Sequence, residues 1–221
     1  MALPVNEIFS TIQGEATYTG TPSTFVRLQG CRVGCGWCDT KHTWDVKLDD
    51  KIDVKDMLAK DCDSKQFAVM SDDELFKEID SRRPRHVVLT GGEPFEHDLY
   101  GITKLLIAKG YTVQVETSGT QPIKAHGDTF ITLSPKWDMA GGFDVIEQNY
   151  WRADEIKVPV GKKADVDKIW TRIPVDIMCA RKPIWLQPLS QSRRATDICI
   201  ASALQYEFKI SIQTHKFIGV R

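Results

Sequence analysis

Residues 86–94 read HVVLTGGEP, a short run of β-branched and apolar residues that ends in a polar, glycine-rich turn. The run HVVL is typical of a buried strand. The same order recurs where TSG follows TVQVE (112–116), SPK follows TFITL (129–133), PLS follows IWLQ (184–187) and THK follows ISIQ (210–213). One such turn is weak evidence, because Gly, Ser and Pro often follow strands, but five in one chain indicate a shared architecture.

Helical segments separate these strands. Ser71 and Glu74 have the spacing of a capping box and predict the start of a helix. Apolar residues at helical spacing predict another helix over 98–109, which Gly110 would end. Further helices are predicted over 163–172 and 196–206, and further strands over 23–28 and 155–158.

Strands that alternate with helices predict an α/β fold with mainly parallel strands. Roughly six or seven strands and about four helices are too few for a closed eightfold barrel, so we expect a partial, open (β/α) barrel. In such a fold the carboxyl ends of the strands share one face, so the five polar turns should meet at one ligand site. We expect a single domain over residues 1–221, with a variable surface insertion at about 46–69.

The composition excludes several classes of function. The 221 residues are 42% hydrophobic and carry a formal net charge of −1, which gives no general field for nucleic acid. Residues 1–10 lack the basic and long apolar regions of a signal peptide, and no apolar run approaches the length of a membrane span. We therefore expect a cytoplasmic protein with no nucleic-acid or membrane partner.

Three of the six cysteines lie within eight residues, in CRVGCGWC at 31–38. The spacing is compatible with a structural zinc site that has His42 as its fourth ligand. It is also compatible with a four-iron cluster whose fourth iron has no protein ligand and can chelate a methionine moiety. The cysteines directly follow the first predicted strand, on the face of the other polar turns, which favours the cluster. The scattered cysteines are expected to be ordinary thiols, namely Cys62, Cys179 and Cys199.

Several motifs resemble those of one enzyme family. CRVGCGWC resembles the C-x3-C-x-aromatic-C motif of the radical S-adenosylmethionine (SAM) enzymes, and TGGEP resembles their segment that holds the methionyl amino group of SAM. The flanking motifs resemble those of the 7-carboxy-7-deazaguanine synthases, and the likeness covers nearly the whole chain apart from about 46–69. These motifs are EIFSTIQGEATYTG (7–20), FVRLQGC (25–31), CDTKHTW (38–44) and QTHK (213–216).

The resemblance implies an open barrel of the radical SAM type and a radical reaction. Cys31, Cys35 and Cys38 would bind a [4Fe-4S] cluster, and reductive cleavage of SAM would give a radical that takes hydrogen from C6 of 6-carboxy-5,6,7,8-tetrahydropterin. Ring contraction and loss of ammonia would give 7-carboxy-7-deazaguanine, a queuosine precursor, with SAM regenerated. The resemblance also implies magnesium, a flavodoxin-like reductant and a homodimer. It assigns no catalytic side chain, because cluster and SAM carry the chemistry.

The resemblance assigns cofactor residues motif by motif. Thr40 matches the position that offers an oxygen to magnesium, and its alternative role is a hydroxyl cap of the loop. Gly92 would let the backbone approach SAM because it has no side chain, while Glu93 would fix this loop. The other positions matched around SAM are Ser134, Pro135, Lys136, Gln187, Pro188, Leu189 and Ser190. Glu116 and Ser118 are not part of this match; they are expected to reach the SAM ribose because they end a predicted strand on the same face.

The resemblance also assigns substrate residues. Arg27 suits a carboxylate, because its planar fork donates two parallel hydrogen bonds, although an ion pair is the alternative. Gln13 would meet the pterin edge, and Glu15 would accept from its amines. His215 is a further contact or else an ordinary buried histidine. The chain departs from the family at Ala16, where Gly is common, so this loop is expected to take a different path. The positions matched to the substrate are Ile12, Gln13, Gly14, Glu15, Arg27, Thr90 and His215.

Two other functions fit part of this pattern. A different small radical SAM protein, such as an activase that places a radical on a glycine of a partner enzyme, would share the cysteine spacing and GGEP. It would not need IQGE, the threonine of CDT or QTHK. A zinc-stabilised interaction domain would need neither GGEP nor SPK.

Overall fold

The computed structural model describes residues 2–220, and within that range one nine-stranded sheet forms the centre of the protein. The strands are β1 (Ala2–Ile12), β2 (Pro22–Leu28), β3 (Ala68–Ser71), β4 (His86–Gly91), β5 (Thr112–Thr117), β6 (Phe130–Leu133), β7 (Glu155–Val160), β8 (Ile184–Pro188) and β9 (Lys209–Ile210). Their order across the sheet is β3-β1-β2-β4-β5-β6-β7-β8-β9. All neighbouring pairs from β2 to β9 are parallel, while β1 is antiparallel to β2 and to β3.

Nine α-helices within residues 2–220 accompany this sheet, and the last of them lies at a pocket, where it contributes His215 and Lys216. They are α1 (Val54–Leu58), α2 (Asp72–Asp80), α3 (Tyr100–Ala108), α4 (Glu147–Arg152), α5 (Lys163–Asp167), α6 (Ile169–Arg172), α7 (Val175–Cys179), α8 (Arg193–Tyr206) and α9 (Thr214–Ile218). α3 packs against β5, α5 against β7, and α8 against β7, β8 and β9. None of the helices within residues 2–220 has the length and apolar character needed to cross a membrane.

Alternation along the strands separates an apolar face from a polar one. In β5, Val113 and Val115 are almost fully buried in the core, while the intervening Gln114 hydrogen-bonds other polar side chains and Glu116 reaches a pocket. β7 follows the same rule, with Lys157 on the pocket side. Successive side chains of a strand point to opposite faces, so the apolar set packs under the helices and the polar set lines the interior of the sheet.

The prediction of a partial, open (β/α) barrel with mainly parallel strands is confirmed. β3 and β9 are the two edges of the sheet, and within residues 2–220 no pairing joins them into a closed barrel. The opening between β3 and β9 matters for function, because a ligand can reach the polar interior of the sheet from the side.

Most predicted elements are confirmed to within a few residues. The capping box at the start of α2 is present, with Ser71 accepting from the backbone N–H of Glu74 at 3.3 Å and Glu74 accepting from that of Ser71 at 2.8 Å. The helix predicted over 163–172 is wrong in one respect, because it breaks at Lys168 into α5 and α6. The strand predicted over 210–213 is also too long, since β9 has only two residues.

Two strands were missed, and one of them matters for the site. β1 has eleven residues, but its buried polar side chains, such as Asn6 and Glu7, hide the expected alternation. β3 has only four residues, which is too short for periodicity to reveal. As a result the cysteines follow the second strand of the chain, β2, and not the first.

The segment at about 46–69 contributes to the core. Met57 of α1 and Phe67 are each 2% exposed, and the backbone N–H of Ile52 donates to the carbonyl of Phe67 at 2.9 Å. α1 packs on β1 and β3. The segment is therefore a folded cover over the β3 edge; that it varies between relatives stays a prediction.

Candidate active site

One pocket of about 320 Å³ lies on the polar face, where several strands end. Its size is in the range of small-molecule sites. All the predicted site residues line this pocket except Gly14 and Pro135. Gly14 lies directly beneath His215, where a Cβ would come within 2.1 Å of the imidazole Nδ1, and Pro135 lines a smaller neighbouring cleft. The five polar turns therefore do meet at one place, together with the N-terminal loop.

The cysteine loop is fastened at both ends by backbone hydrogen bonds. The N–H of Gly30 donates to the carbonyl of Thr43 at 2.7 Å, and the N–H of Cys31 donates to that of Trp44 at 2.9 Å. Within the loop, the N–H of Cys38 donates to the carbonyl of Cys35 at 3.1 Å. Two further bonds come from distant residues, because the N–H of Glu93 donates to the carbonyl of Gly30 at 2.8 Å and that of Gly141 to the carbonyl of Val33 at 3.0 Å. Local and distant backbone hydrogen bonds therefore hold the three thiols at the pocket together.

The donor set fits an iron–sulfur cluster. Burial raises the pKa of the Cys31 thiol to about 12 and also raises that of Cys35, so these thiols keep their protons in the metal-free chain and release them when metal binds. Soft thiolates are the ligands that iron–sulfur clusters use. Within residues 2–220, no three His, Cys, Asp or Glu side chains converge on one point as a single metal ion would require, so His42 does not complete a zinc site with the cysteines.

The GGEP turn is locked to the cysteine loop and to β5. A Cβ on Gly92 would lie 2.0 Å from the carbonyl oxygen of Gly30, so glycine is required there by the close approach of the two loops. Glu93, 2% exposed, accepts from the hydroxyls of Thr117 at 2.6 Å and Ser118 at 2.5 Å, and from the Ser118 N–H at 2.8 Å. Glu93 therefore fixes this turn, and the hydroxyl of Ser118 is already engaged.

Lys136 is held beside the cysteine loop. Its ammonium donates to the carbonyl and the hydroxyl of Ser134, at 2.7 and 2.6 Å, and lies 5.6 Å from the centre of the Trp37 ring. Burial lowers the pKa of Lys136 from its ordinary value, against the attraction of the Cys35 thiolate. The ammonium places a positive charge beside sulfur ligands that carry negative charge.

The opposite side of the pocket holds a buried group that we call the carboxylate–lysine triad, formed by Glu15, Glu116 and Lys157. The Lys157 side chain is 3% exposed, and its ammonium contacts Glu15 directly and Glu116 at 2.6 Å. The remaining carboxylate oxygens accept from amide groups, Glu15 from Gln213 at 2.8 Å and Glu116 from Gln13 at 3.0 Å. Gln13 is thus an internal support for Glu116 as well as a lining residue.

The N-terminal loop lies inside the open barrel. The ring of Tyr18 is 4.3 Å from that of His86 and 4.9 Å from that of Phe130, and these two residues begin β4 and β6. The loop therefore covers the amino ends of the strands while Gln13 and Glu15 face the pocket. Ala16 has a φ of 53°, in the left-handed region that glycine prefers, so the alanine backbone is strained there. That the loop takes a different path from that of the family stays a prediction.

Arg27 lines the pocket and is also ion-paired. Its Nε donates to Glu7 of β1 at 2.5 Å, and its guanidinium lies 5.9 Å from the centre of the Phe9 ring. This pair uses one of the five N–H donors of the guanidinium. The ion pair and a role toward a ligand are therefore compatible.

Thr40 does not cap the turn that follows it, since its side chain makes no capping hydrogen bond. Its hydroxyl lies 3.6 Å from the sulfur of Cys38, and its N–H donates to the same sulfur at 3.4 Å.

His215 is half-buried, and burial lowers its pKa although Glu15 acts in the opposite direction.

The sequence reasoning missed Lys157 and Glu7. The lysine in the strand EIKVPV, at 155–160, could have indicated Lys157, because a charge inside a mostly apolar, buried strand is rare unless it is paired. Glu7 carried no comparable signal, because β1 itself was not recognised.

Comparison with known proteins agrees with this geometry. The model of the radical SAM superfamily matches residues 25–136, half of the chain, and this range contains the cysteine loop and the GGEP turn. The chain is 42% identical to 7-carboxy-7-deazaguanine synthase of Escherichia coli strain K12 over the whole of both chains, and 32% identical to that of Synechocystis over all of this chain and 95% of the relative. The crystal structure of QueE from Escherichia coli superposes with a TM-score of 0.88, at 42% identity, over 96% of this chain and 94% of that one. This chain therefore belongs to the 7-carboxy-7-deazaguanine synthase family of the radical SAM superfamily.

Proposed function

We propose that this protein converts 6-carboxy-5,6,7,8-tetrahydropterin to 7-carboxy-7-deazaguanine with loss of ammonia, a step toward queuosine. One observation carries the proposal: a single pocket joins the cysteine loop to Arg27 on one side and to the carboxylate–lysine triad on another. A ligand with one carboxylate and an amino-substituted ring has complementary groups for both.

The cofactors are those of the superfamily, a [4Fe-4S] cluster and SAM. Cys31, Cys35 and Cys38 would hold the cluster, and the segments around Gly92, Ser134 and Gln187 would hold SAM. Cluster and SAM, when bound, supply the radical that starts the reaction. The chain's own part is to orient the substrate and to exclude water from the pocket.

Arg27 would bind the substrate carboxylate. Its side chain is 19% exposed, so a charge-assisted pair formed there is only weakly screened by solvent. Glu15 would accept from the N–H groups of the aminopyrimidine ring. Glu116, which was assigned to SAM from the sequence, is reassigned here to the same ring, because Lys157 holds its carboxylate beside that of Glu15. Each carboxylate oxygen keeps a lone pair after its internal hydrogen bond. Ile12, Thr90 and His215 would complete the walls around the ring.

Thr40 would offer its hydroxyl oxygen to a magnesium ion at the mouth of the pocket. A single hydroxyl cannot hold such an ion, so water and substrate oxygens must complete the shell. Support for this assignment is that Thr40 lines the pocket next to the cysteine loop and that its hydroxyl makes no capping bond.

Four further properties are proposed on more general grounds. We expect a flavodoxin-like reductant and a homodimer, as the resemblance implies, and a single domain over 1–221. We also expect the protein to work in the cytoplasm, because Cys62 and Cys179 are exposed free thiols, which persist in reducing compartments.

Anaerobic turnover tests the proposal. The reconstituted protein should convert 6-carboxy-5,6,7,8-tetrahydropterin to 7-carboxy-7-deazaguanine in the presence of SAM and reductant, with many turnovers for each SAM consumed. Protein that cleaves SAM but never releases 7-carboxy-7-deazaguanine would assign the chain to a different radical reaction.

A further inference from the structure

Lys157 is a buried cation that the proposed reaction does not by itself require. It lies in β7, and its ammonium is shared between two carboxylates that come from distant parts of the chain, Glu15 from the loop after β1 and Glu116 from β5. The triad has a net charge of −1 when all three groups are ionised. Two like charges held this close, in a site nearly closed to water, would not both stay ionised without a cation between them.

The ionisation of the triad follows from its geometry. Burial acts to raise the pKa of Glu15, but attraction and hydrogen bonds from Lys157, together with the hydrogen bond from Gln213, bring it down to about 2. Burial acts to lower the pKa of Lys157, but Glu116 and Glu15 raise it above its ordinary value. The ammonium therefore keeps Glu15 charged at neutral pH, and it also contacts the Glu116 carboxylate at 2.6 Å.

The triad also fixes where the carboxylates point. Each has one oxygen on Lys157 and the other on a glutamine amide, Gln213 for Glu15 and Gln13 for Glu116. Both carboxylate side chains line the pocket and keep partial exposure, 12% for Glu15 and 18% for Glu116. A fixed pair of anionic acceptors suits the N–H groups of an aminopyrimidine ring and would repel a ligand carboxylate placed there.

We propose that Lys157 is a positioning residue, which holds Glu15 and Glu116 side by side as the acceptors for the N–H groups of the substrate ring. The same contact is one of several that tie the N-terminal loop to the strands, beside the hydrogen bond of Thr17 to Glu155 and the packing of Tyr18 on His86. This inference rests on the proposed function and adds to it the reason why two carboxylates can serve the ring together.

Lys157→Met tests the proposal, because it keeps the length of the side chain and removes the charge. Without the ammonium one carboxylate takes up a proton at neutral pH, and the pair loses its alignment. We expect substrate KM to rise by about thirtyfold or more, the effect of removing one partner of a buried charge pair. Cluster content should stay at the wild-type level. The matched control Lys163→Met, whose ion pair with Asp167 is exposed, should keep wild-type KM, cluster content and SAM cleavage.

The pH profile separates positioning from a merely structural role. In Lys157→Met the protonated carboxylate must lose its proton before it can accept from the ring, so activity should rise with pH across the neutral range. His215 and Lys136 also face the triad, but they are present in both proteins, so the difference between the two profiles isolates the carboxylates. Lower activity with a wild-type pH profile would overturn the proposal, as would an unchanged KM.

A double variant keeps the test decisive if Lys157→Met does not fold. Lys157→Met with Glu15→Gln restores the net charge of −1, so it should fold, lose the new pH dependence and still bind the pterin at least tenfold more weakly than wild type. Wild-type affinity in that variant would overturn the proposal. Equilibrium binding of 6-carboxy-5,6,7,8-tetrahydropterin to the wild-type protein separates the proposed reaction from the proposed role of Lys157. Binding without product formation would contradict only the proposed reaction. Absence of binding would contradict both.

Discussion

The two sides of the pocket are built in different ways. The cysteine loop is a contiguous stretch after β2, fastened by backbone hydrogen bonds between residues close in sequence, such as Gly30 to Thr43. The carboxylate–lysine triad joins groups as far apart in sequence as Glu15 and Lys157, which are separated by 142 positions. The first side is one loop held by backbone hydrogen bonds, to which the N–H groups of Glu93 and Gly141 also contribute. The second side is made of side chains that meet only when the N-terminal loop, β5 and β7 have all come together.

This difference has a physical consequence. A loop held by backbone hydrogen bonds should keep its conformation when residues elsewhere in the chain are changed. The chemistry of the cysteine loop comes from the side chains that it presents to the pocket. A triad of charges depends on mutual compensation, so loss of one member changes the state of the others. Replacing a cysteine ligand should therefore abolish cluster binding and change the stability of the fold little. Replacing a member of the triad should also alter the charge and orientation of the other two members.

The largest expected effect is the loss of the cluster in Cys31→Ser. Reconstituted wild-type protein should hold about four iron and four sulfide per chain, and the serine variant should hold almost none. Because the loop is fastened by its backbone, the metal-free variant should melt within a few degrees of metal-free wild type. Iron analysis and thermal unfolding test both statements.

Cys62→Ser and Cys179→Ser are the matched controls for that experiment, because both thiols are exposed and lie outside the pocket lining. They should retain full iron content. Zinc in stoichiometric amount with no iron after reconstitution would contradict the cluster assignment.

The second prediction concerns the junction between the two loops at Gly92. In Gly92→Ala the new methyl group would meet the carbonyl oxygen of Gly30 at 2.0 Å, so the two loops must separate. Overpacking of this kind costs about 1–3 kcal/mol and should lower both thermal stability and cluster retention. Gly127→Ala is the control, since a Cβ there meets nothing within 4 Å. An alanine variant that keeps its cluster but fails to bind SAM would show that Gly92 acts only toward SAM.

The contrast also explains what the sequence could reveal. The alternation of strands and helices, the five polar turns and the cysteine motif are local patterns, so they predicted the open barrel and the face on which the pocket lies. The family resemblance supplied most of the individual site residues, and all the predicted ones except Gly14 and Pro135 line the pocket. Lys157 was not predicted because its partners are distant in sequence. A single lysine in EIKVPV does not indicate a site until the fold places Glu15 and Glu116 beside it. β1 escaped because Asn6 and Glu7 break its apolar pattern, although contacts elsewhere in the fold satisfy them.

The third prediction asks whether Arg27 serves the substrate or only Glu7. Arg27→Gln removes both the guanidinium group and its ion pair with Glu7. Glu7→Gln removes the ion pair but keeps the guanidinium group of Arg27. If Arg27 binds the substrate carboxylate, the arginine variant should lose at least tenfold in substrate affinity, and the glutamate variant should lose far less. SAM cleavage without substrate should persist in both. Equal loss of substrate affinity in the two variants would make Arg27 a structural ion-pair partner.

The smallest expected effect belongs to Thr40, which sits on the cysteine side but is proposed to act toward the substrate. If its oxygen helps to hold magnesium, Thr40→Ser should respond to added magnesium like wild type, while Thr40→Val, which keeps the shape, should lose most of the response. Product formation at saturating magnesium should fall by about fivefold and not vanish, because the ion keeps several other ligands.

The Thr40 hydroxyl also lies 3.6 Å from the Cys38 sulfur, so SAM cleavage without substrate is the deciding control. Unchanged cleavage with a lost magnesium response places Thr40 with the substrate, whereas altered cleavage with a normal magnesium response makes it a hydrogen-bond donor to the cluster ligand.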